Sequence, residues 1–424
     1  MLEEPFFITN NNSDCCGCSA CYNACAHNAI SMQEDFEGFL YPKIDSNLCV
    51  DCNLCHLVCP ITKLYKNPHY NNQKVYVSAT AHAYFSYSSA TIGMCTMLAT
   101  WVIKHDGVAY GCWLDQKEWK PQHIRIDSES EIDKIRNSKY AQSHIGNSFV
   151  NIKDELKKGK TILFVGTPCQ VAGLKSFLKK EYINLYTVDL ICHGVFSYKL
   201  LQKEIAYWER IFSGTVRNFQ FRSKRKFPYS LGGVVNFDLY RNGIFIKHIE
   251  RYAAYSPIYR LYAYSPDSVW YNLRPSCYSC KFREKNRVGD MSIGDPHGIN
   301  PLYLGEFSQK RYRKNGISVF FVNSHKGDIM LNDIKKYMMY KEIPFDSAFS
   351  QQALCSEKME IPRERYEIYA NYMKCDLGEM VEKMYGIDLE VENRKFESRW
   401  RKRQFVNNIK EVIKTIIFYK YWKK

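Results

Sequence analysis

Apolar positions along the middle of the chain follow two rhythms. Residues 75–80, 107–113, 160–166 and 186–191 are short apolar runs, which predicts strands. Residues 94–104, 152–158 and 171–180 repeat their apolar positions with helical spacing, which predicts helices. Residues 160–191 therefore read as strand, helix, strand. That unit implies an α/β body with an at least partly parallel sheet, whose ligands collect beyond the carboxyl ends of the strands. Cys169 and Cys192 both stand just past such ends. No repeat is found beyond the cysteine motif described below.

The rhythm breaks at a polar stretch holding Asn67, Pro68, Asn71 and Asn72, which marks a boundary. The expected organisation is a multidomain α/β (α+β) chain: a small domain over 1–66, a body over 74–330 and a helical, basic region over 331–424. In the last region Phe405, Ile409, Val412, Ile413 and Ile416 share one helical face, and Arg401, Lys402, Arg403, Lys410 and Lys414 supply cations. Such a helix can rest on anionic lipid as a peripheral membrane contact, dock an acidic partner, or pack on its own domain with solvated lysines.

Composition narrows the classes. With 46% hydrophobic and 24% charged residues over 424 positions, the chain has a globular makeup and is no disordered scaffold. The net charge is +15, but residues 393–424 alone hold eleven Lys and Arg against two Glu. The rest is near balance, so the basicity does not argue for nucleic acid, and no RNP, zinc-finger or helix-turn-helix pattern is present. The longest apolar run, residues 93–103, is too short to span a bilayer. The opening Met-Leu-Glu-Glu-Pro lacks the basic and apolar regions of a secretory signal, so a cytoplasmic chain is expected. In that reducing compartment clustered cysteines read as metal ligands or redox thiols.

Nine of the 17 cysteines fall between Cys15 and Cys59. Cys15-x2-Cys18-x2-Cys21-x3-Cys25 is followed by Cys49-x2-Cys52-x2-Cys55-x3-Cys59-Pro60, the doubled spacing of bacterial ferredoxins. Three cysteines of each run surround one cubane, and the fourth points to the other. The spacing predicts Cys15, Cys18, Cys21 and Cys59 on one 4Fe-4S cluster and Cys49, Cys52, Cys55 and Cys25 on a second. Zinc is the competing use of paired cysteines. Cys16 is surplus to the motif, and Ala26 stands where Pro is usual.

Further on, Lys160-Thr-Ile-Leu-Phe-Val-Gly-Thr-Pro-Cys-Gln-Val-Ala-Gly-Leu174, Val188-Asp-Leu-Ile-Cys-His-Gly194, Arg274-Pro-Ser-Cys-Tyr-Ser-Cys-Lys-Phe282 and Gly289-Asp-Met-Ser-Ile-Gly-Asp295, with Asn137-Ser-Lys-Tyr-Ala-Gln-Ser143, resemble the coenzyme F(420) hydrogenase/dehydrogenase beta-subunit family. The resemblance spans roughly residues 74–300. It implies a flavoprotein, usually with FAD, whose body holds its own iron-sulfur cluster. On that basis Cys169, Cys192, Cys277 and Cys280 hold a third 4Fe-4S cluster. Ser138, Lys139, Tyr140, Gln142, Ser143, Gly166, Thr167 and Gln170 lie near the flavin. Independently, a phosphate-bearing cofactor suits a Lys, hydroxyls and backbone N–H groups at a strand-to-helix turn. Two segments differ from the family pattern: Ser88–Gly93 stands where Gly-Gly is usual, and Pro296-His297-Gly298 where an aromatic is usual.

Other uses of these residues compete. Isolated cysteines often serve as small buried hydrophobes, Cys277 and Cys280 could be half of a zinc knuckle, and Cys169 could be a redox thiol. His193 either steers a proton or satisfies a local hydrogen bond. The tyrosines of residues 251–271 either stack on a ring-shaped ligand or form a helix stripe packed on the body. The leading expectation is an iron-sulfur flavoenzyme that passes electrons between a ferredoxin or reductase-type redox partner and a small organic substrate. Bacterial relatives of this build are associated with polysaccharide biosynthesis. The alternatives are a non-catalytic electron-transfer subunit feeding a partner enzyme, and an iron-sulfur protein without flavin.

Overall fold

The N-terminal cysteine runs flank a hairpin, β1 (Ile30–Glu34) against β2 (Leu40–Ile44), with Ile30 opposite Ile44. Each run continues into one short helical turn, Ala20–Ala24 in the first and Leu54–Leu57 in the second. The computed structural model describes residues 6–62, 72–80, 82–86, 89–222, 234–265, 269–308, 316–349 and 359–422. The expected linker positions Asn67, Pro68 and Asn71, and Ser88, lie outside them, as do the side chains of Lys410, Val412, Ile413, Lys414 and Ile416.

The body is built on eight strands: β3 (Lys74–Ala79), β4 (Val108–Asp115), β5 (Lys120–Ile126), β6 (Ile162–Gly166), β7 (Leu185–Leu190), and, after an insertion, β11 (Met291–Gly294), β12 (Ser318–Val322) and β13 (Met339–Ile343). Their order is β13-β3-β12-β11-β7-β6-β4-β5. The central four, β11, β7, β6 and β4, run parallel, and the outer strands pair antiparallel. The chain is thus α/β with a partly parallel sheet, as the strand-helix-strand pattern required. The edge strand β13 comes from beyond residue 330.

The insertion holds an antiparallel sheet of β8 (Thr215–Gln220), β9 (Val234–Arg241) and β10 (Ile244–Tyr252). The described residues among 251–271 do not form one tyrosine-striped helix. Arg251 and Tyr252 finish β10, and Ser256 caps a six-residue helix, Pro257–Tyr262, through its bond to the Tyr259 N–H. The Tyr259 and Tyr262 hydroxyls donate inward, to the carbonyls of Phe221 and Gly194. Pro257 fits the first helical position, where its missing N–H costs nothing, and so cuts the segment there.

The small N-terminal domain shares its core with the body. Cys16, Cys18, Ala20, Val58 and Ile61 pack in one cluster with Phe149, Phe164, Val171 and Leu174. Phe39 and Tyr41 join another with Tyr198, Leu273, Tyr369 and Tyr372. Glu37 meets Arg365 of the C-terminal region in a bidentate buried ion pair, its Oε1 accepting from Nη1 at 2.8 Å. The final helix, Leu389–Trp422, docks by its first half, where Glu397 pairs Arg251 at 2.8 Å and Phe396 stacks on Tyr252. Beyond that, Phe405 and Ile409 are exposed. Among the described residues no helix is long and apolar enough to cross a membrane.

Candidate functional site

Parallel strands deliver their carboxyl ends to one edge, and the loops there collect most of the chemistry. β6 runs into Thr167 and the helix Pro168–Leu178, β7 into Cys192 and His193, and β11 into Asp295 and His297. These loops open on a cavity of about 580 Å³. Ser138, Lys139, Tyr140, Gln142, Ser143, Gly166, Thr167 and Gln170 all line it, as do Cys169, Cys192, Cys277 and Cys280. The two groups expected for separate cofactors therefore share one chamber, of a size that suits an organic cofactor.

The four thiols surround one end. Cys192 feels the charge of Cys277, Cys169 and Cys280, and Cys277 that of Cys280 and Cys169. Burial, with these neighbours adding to it, pushes Cys192 up strongly and Cys277 up to about 12. Four such thiols are costly to ionise together unless a cationic centre sits among them, which is the setting iron provides. Among the described residues no three His, Cys, Asp or Glu side chains converge on a single point as ligands of one ion do.

In the N-terminal set Cys21 feels Cys15, Cys59 and Cys55, Cys18 feels Cys59 and Cys21, Cys59 feels Cys15 and Cys55, and Cys55 feels Cys52 and Cys49. Cys25 accepts the Ala29 N–H at 3.3 Å. Cys18 is buried against the body, and Cys52 is exposed, as are Leu48, Val50 and Leu57.

Arg274 joins the two regions. Its Nε donates to the Cys15 carbonyl at 2.8 Å, Nη2 to that of Leu40 at 2.9 Å and Nη1 to Gln142 Oε1 at 2.8 Å. Gln142 in turn donates to the Cys16 carbonyl at 2.9 Å. Gly17, at φ +67°, lies beneath this pair, and a Cβ there would stand 2.7 Å from Gln142 Nε2. The guanidinium is fully buried, packs on the Tyr41 ring at 4.2 Å, and its described hydrogen bonds all go to neutral oxygens. Its nearest potential anions are Tyr41, Cys15, Cys16 and Cys277. A buried cation in that company fits anionic iron-sulfur clusters on both sides.

The remaining polar wall is tied to itself. Gln170 Oε1 accepts from the Thr167 N–H at 3.0 Å, and Gln170 Nε2 donates to Ser143 Oγ at 3.0 Å. Ser143 lies 2.8 Å from His123 Nδ1, and His123 Nε2 lies 3.0 Å from the Val165 carbonyl. The carbonyl can only accept, so Nε2 carries the proton and Ser143 donates to Nδ1. Burial holds His123 down at about 4. Lys139 donates to the Arg136 carbonyl at 2.6 Å, and Ser89 and Thr91 turn their hydroxyls onto Phe85 O and Ser318 Oγ. These groups shape the chamber and hold its walls.

Sequence reasoning named Tyr140, Tyr259 and Tyr262 but passed over Arg222 and Arg283 of the chamber wall. Tyr140 meets Tyr259 and Tyr262 with ring centroids at 5.6 Å, and Arg283 lies over Trp270. At the mouth Arg222 and His297 share Asp295, His297 Nε2 at 3.2 Å. Burial alone would raise the Asp295 carboxyl, but Arg222 and His297 hold it well below the usual range. His193 is buried near His297, and burial holds it down at about 4. The tyrosine spacing was visible in the sequence; the Arg222 to Asp295 pairing joins residues 73 apart, which no local pattern announces.

The N-terminal segment marks an iron-sulfur protein, with an electron-transfer module set against the chamber. Residues 14–62 match the 4Fe-4S dicluster domain, and residues 159–347 match the family described as the C terminus of the coenzyme F420 hydrogenase/dehydrogenase beta subunit. The chain thus carries a segment similar to that C-terminal domain behind a dicluster domain. No curated protein matches it in sequence. Among solved structures, a chain of the F420-reducing nickel-iron hydrogenase complex from Methanosarcina barkeri is similar at 14% identity, over 75% of this chain and 93% of that one, with a TM-score of 0.40.

Proposed function

We propose that this protein is an iron-sulfur flavoprotein oxidoreductase. Cys15, Cys18, Cys21 and Cys59 hold one 4Fe-4S cluster, Cys49, Cys52, Cys55 and Cys25 a second, and Cys169, Cys192, Cys277 and Cys280 a third. FAD occupies the rest of the chamber, against Ser138–Ser143 and the Gly166–Gln170 turn. When bound, the flavin exchanges hydride with a small organic substrate and single electrons with iron-sulfur centres. The observation that carries this reading is the packing of Cys18 and Cys59 in one core cluster with Cys169 and Cys280, two of the four chamber thiols.

The protein's own residues set the conditions. Arg274 keeps a positive charge between the two cysteine regions in a dry interior, where it favours added electrons on either side. Tyr140, Tyr259 and Tyr262 give the chamber an aromatic wall. The test is a titration of anaerobically purified protein, stripped of any flavin, with FAD followed by fluorescence. Saturable binding near one equivalent, weakened by replacing Tyr140 with Ala, is expected; no binding overturns the flavin assignment.

A second reading, an electron-transfer subunit serving a partner enzyme, is favoured by one feature. Cys52 is exposed, and so are the apolar Leu48, Val50 and Leu57 near it in the sequence, which suits an electron-exchange contact. Turnover by the isolated chain with a reduced donor separates the two.

A further inference from the structure

The final helix, Leu389–Trp422, changes the side it presents part of the way along. Leu389, Asn393, Phe396 and Trp400 recur at intervals of four, three and four, which puts them on one face. That face docks. Leu389 and Asn393 are buried, and the Phe396 ring stacks on Tyr252 with centroids 5.1 Å apart and on Trp400 at 6.3 Å. Phe405, Ile409, Val412 and Ile416 repeat the same spacing further on. Phe405 is nine residues past Phe396. At about 3.6 residues per turn that is roughly two and a half turns, so the second stripe stands opposite the first. The helix holds no Gly or Pro to bend it back. The body that receives the first stripe therefore leaves the second uncovered: Phe405 is 67% exposed, Ile409 42%, and Val406 beside them 47%.

Charge decides what covers that stripe. Residues 399–424 hold nine Lys and Arg against one acidic residue, Glu411. Two such helices brought face to face would repel, which disfavours a second copy of this chain. By helical spacing Arg403, Lys410 and Lys414 fall on one flank of the stripe. Their long stems suit apolar surface while the charged heads reach for phosphate. Tyr419, Tyr421 and Trp422 add the amphipathic aromatic residues that favour the headgroup level of a bilayer. We propose that residues 401–422 lie in the headgroup region of an anionic membrane, with Phe405, Val406 and Ile409 inserted and the flanking cations on lipid phosphates. The contact is a peripheral one, along the surface, since among the described residues no helix is long and apolar enough to cross. It depends on nothing that the chamber holds.

The experiment floats the full chain, purified without oxygen, with two kinds of vesicle: phosphatidylcholine alone, and phosphatidylcholine with about a third of phosphatidylglycerol. The chain should float with the anionic vesicles and not with the neutral ones, and rising salt should release it. A Phe405→Ser, Ile409→Ser double variant should bind about tenfold more weakly or worse, because the inserted apolar area is gone. Both positions are exposed, so its iron content and circular dichroism should match the parent's. Lys410→Gln with Lys414→Gln should also weaken binding about tenfold, and only to the anionic vesicles. Equal flotation with both kinds of vesicle overturns the proposal, and so does an apolar double variant that floats as well as the parent. Failure to float with the anionic vesicles overturns it in favour of an acidic protein partner. A parent that sediments as a dimer and a double variant that sediments as a monomer overturn it in favour of a second copy.

Discussion

Gly173→Ala reverses an ordinary expectation. In the middle of a helix this change normally stabilises by about 1 kcal/mol, because glycine is the poorer helix former. Here the added Cβ would stand 2.8 Å from the Cys18 Cβ and 2.9 Å from its sulfur, against an ordinary carbon contact of about 3.5 to 4.0 Å. Cys18 would have to retreat by roughly 0.7 to 1 Å, and Phe149, already 3.5 Å away, closes the side. Overpacking of this kind costs about 1 to 3 kcal/mol, so the net change lies between zero and about 2 kcal/mol of destabilisation. The displaced atom belongs to a proposed cluster ligand, so the effect should appear most clearly in iron retention. Anaerobic protein challenged with a chelator should lose about four of its irons several-fold faster in the variant, those of one cubane. A variant that melts higher by the helix-propensity gain and keeps all its iron would refute the close packing of the N-terminal domain on this helix.

Three further outcomes follow from the interior. Arg365→Met leaves Glu37 charged and buried, so it should destabilise by about 3 to 5 kcal/mol in chemical denaturation, and pairing it with Glu37→Leu should recover much of the loss. Arg274→Met removes three donors and should leave the Cys15 and Leu40 carbonyls unpaired; faster proteolysis between the N-terminal domain and the body should report about 3 kcal/mol or more. Burial holds the His123 pKa at about 4, below its usual 6.5, so the unfolded chain binds the proton first on acidification. Its contribution is present above pH 6.5 and is lost as the pH falls toward 4, amounting to about 2 kcal/mol between pH 7 and 5. A His123→Gln variant should show a correspondingly flatter stability profile over that window.

What the sequence disclosed, and what it hid, divides by range of interaction. The helix Met94–Lys104 matches its predicted bounds, and β6, the helix after it and β7 lie within a few residues of theirs, because these apolar runs answer to one buried sheet. The two cysteine runs were legible for the same reason: spacing along one segment encodes the geometry of ligation. Cys16 was visible only as a surplus residue, since its place in the chamber wall is set by residues far along the chain. Gln142 illustrates the limit from the other side. The resemblance put it beside a flavin, and it does line the chamber, yet both ends of its amide are engaged in joining Cys16 to Arg274. Arg274 and Arg365 are buried cations whose partners come from the opposite end of the sequence, and no periodicity marks such residues in advance.

The central claim is that the N-terminal pair of clusters and the chamber form one redox unit within a single chain. Iron, acid-labile sulfide and flavin per chain, measured on protein purified without oxygen and supported by its visible spectrum, test it most directly. About twelve irons with one flavin is the predicted result. About eight irons without flavin would leave a dicluster domain packed on a chamber with another use, and would contradict the account.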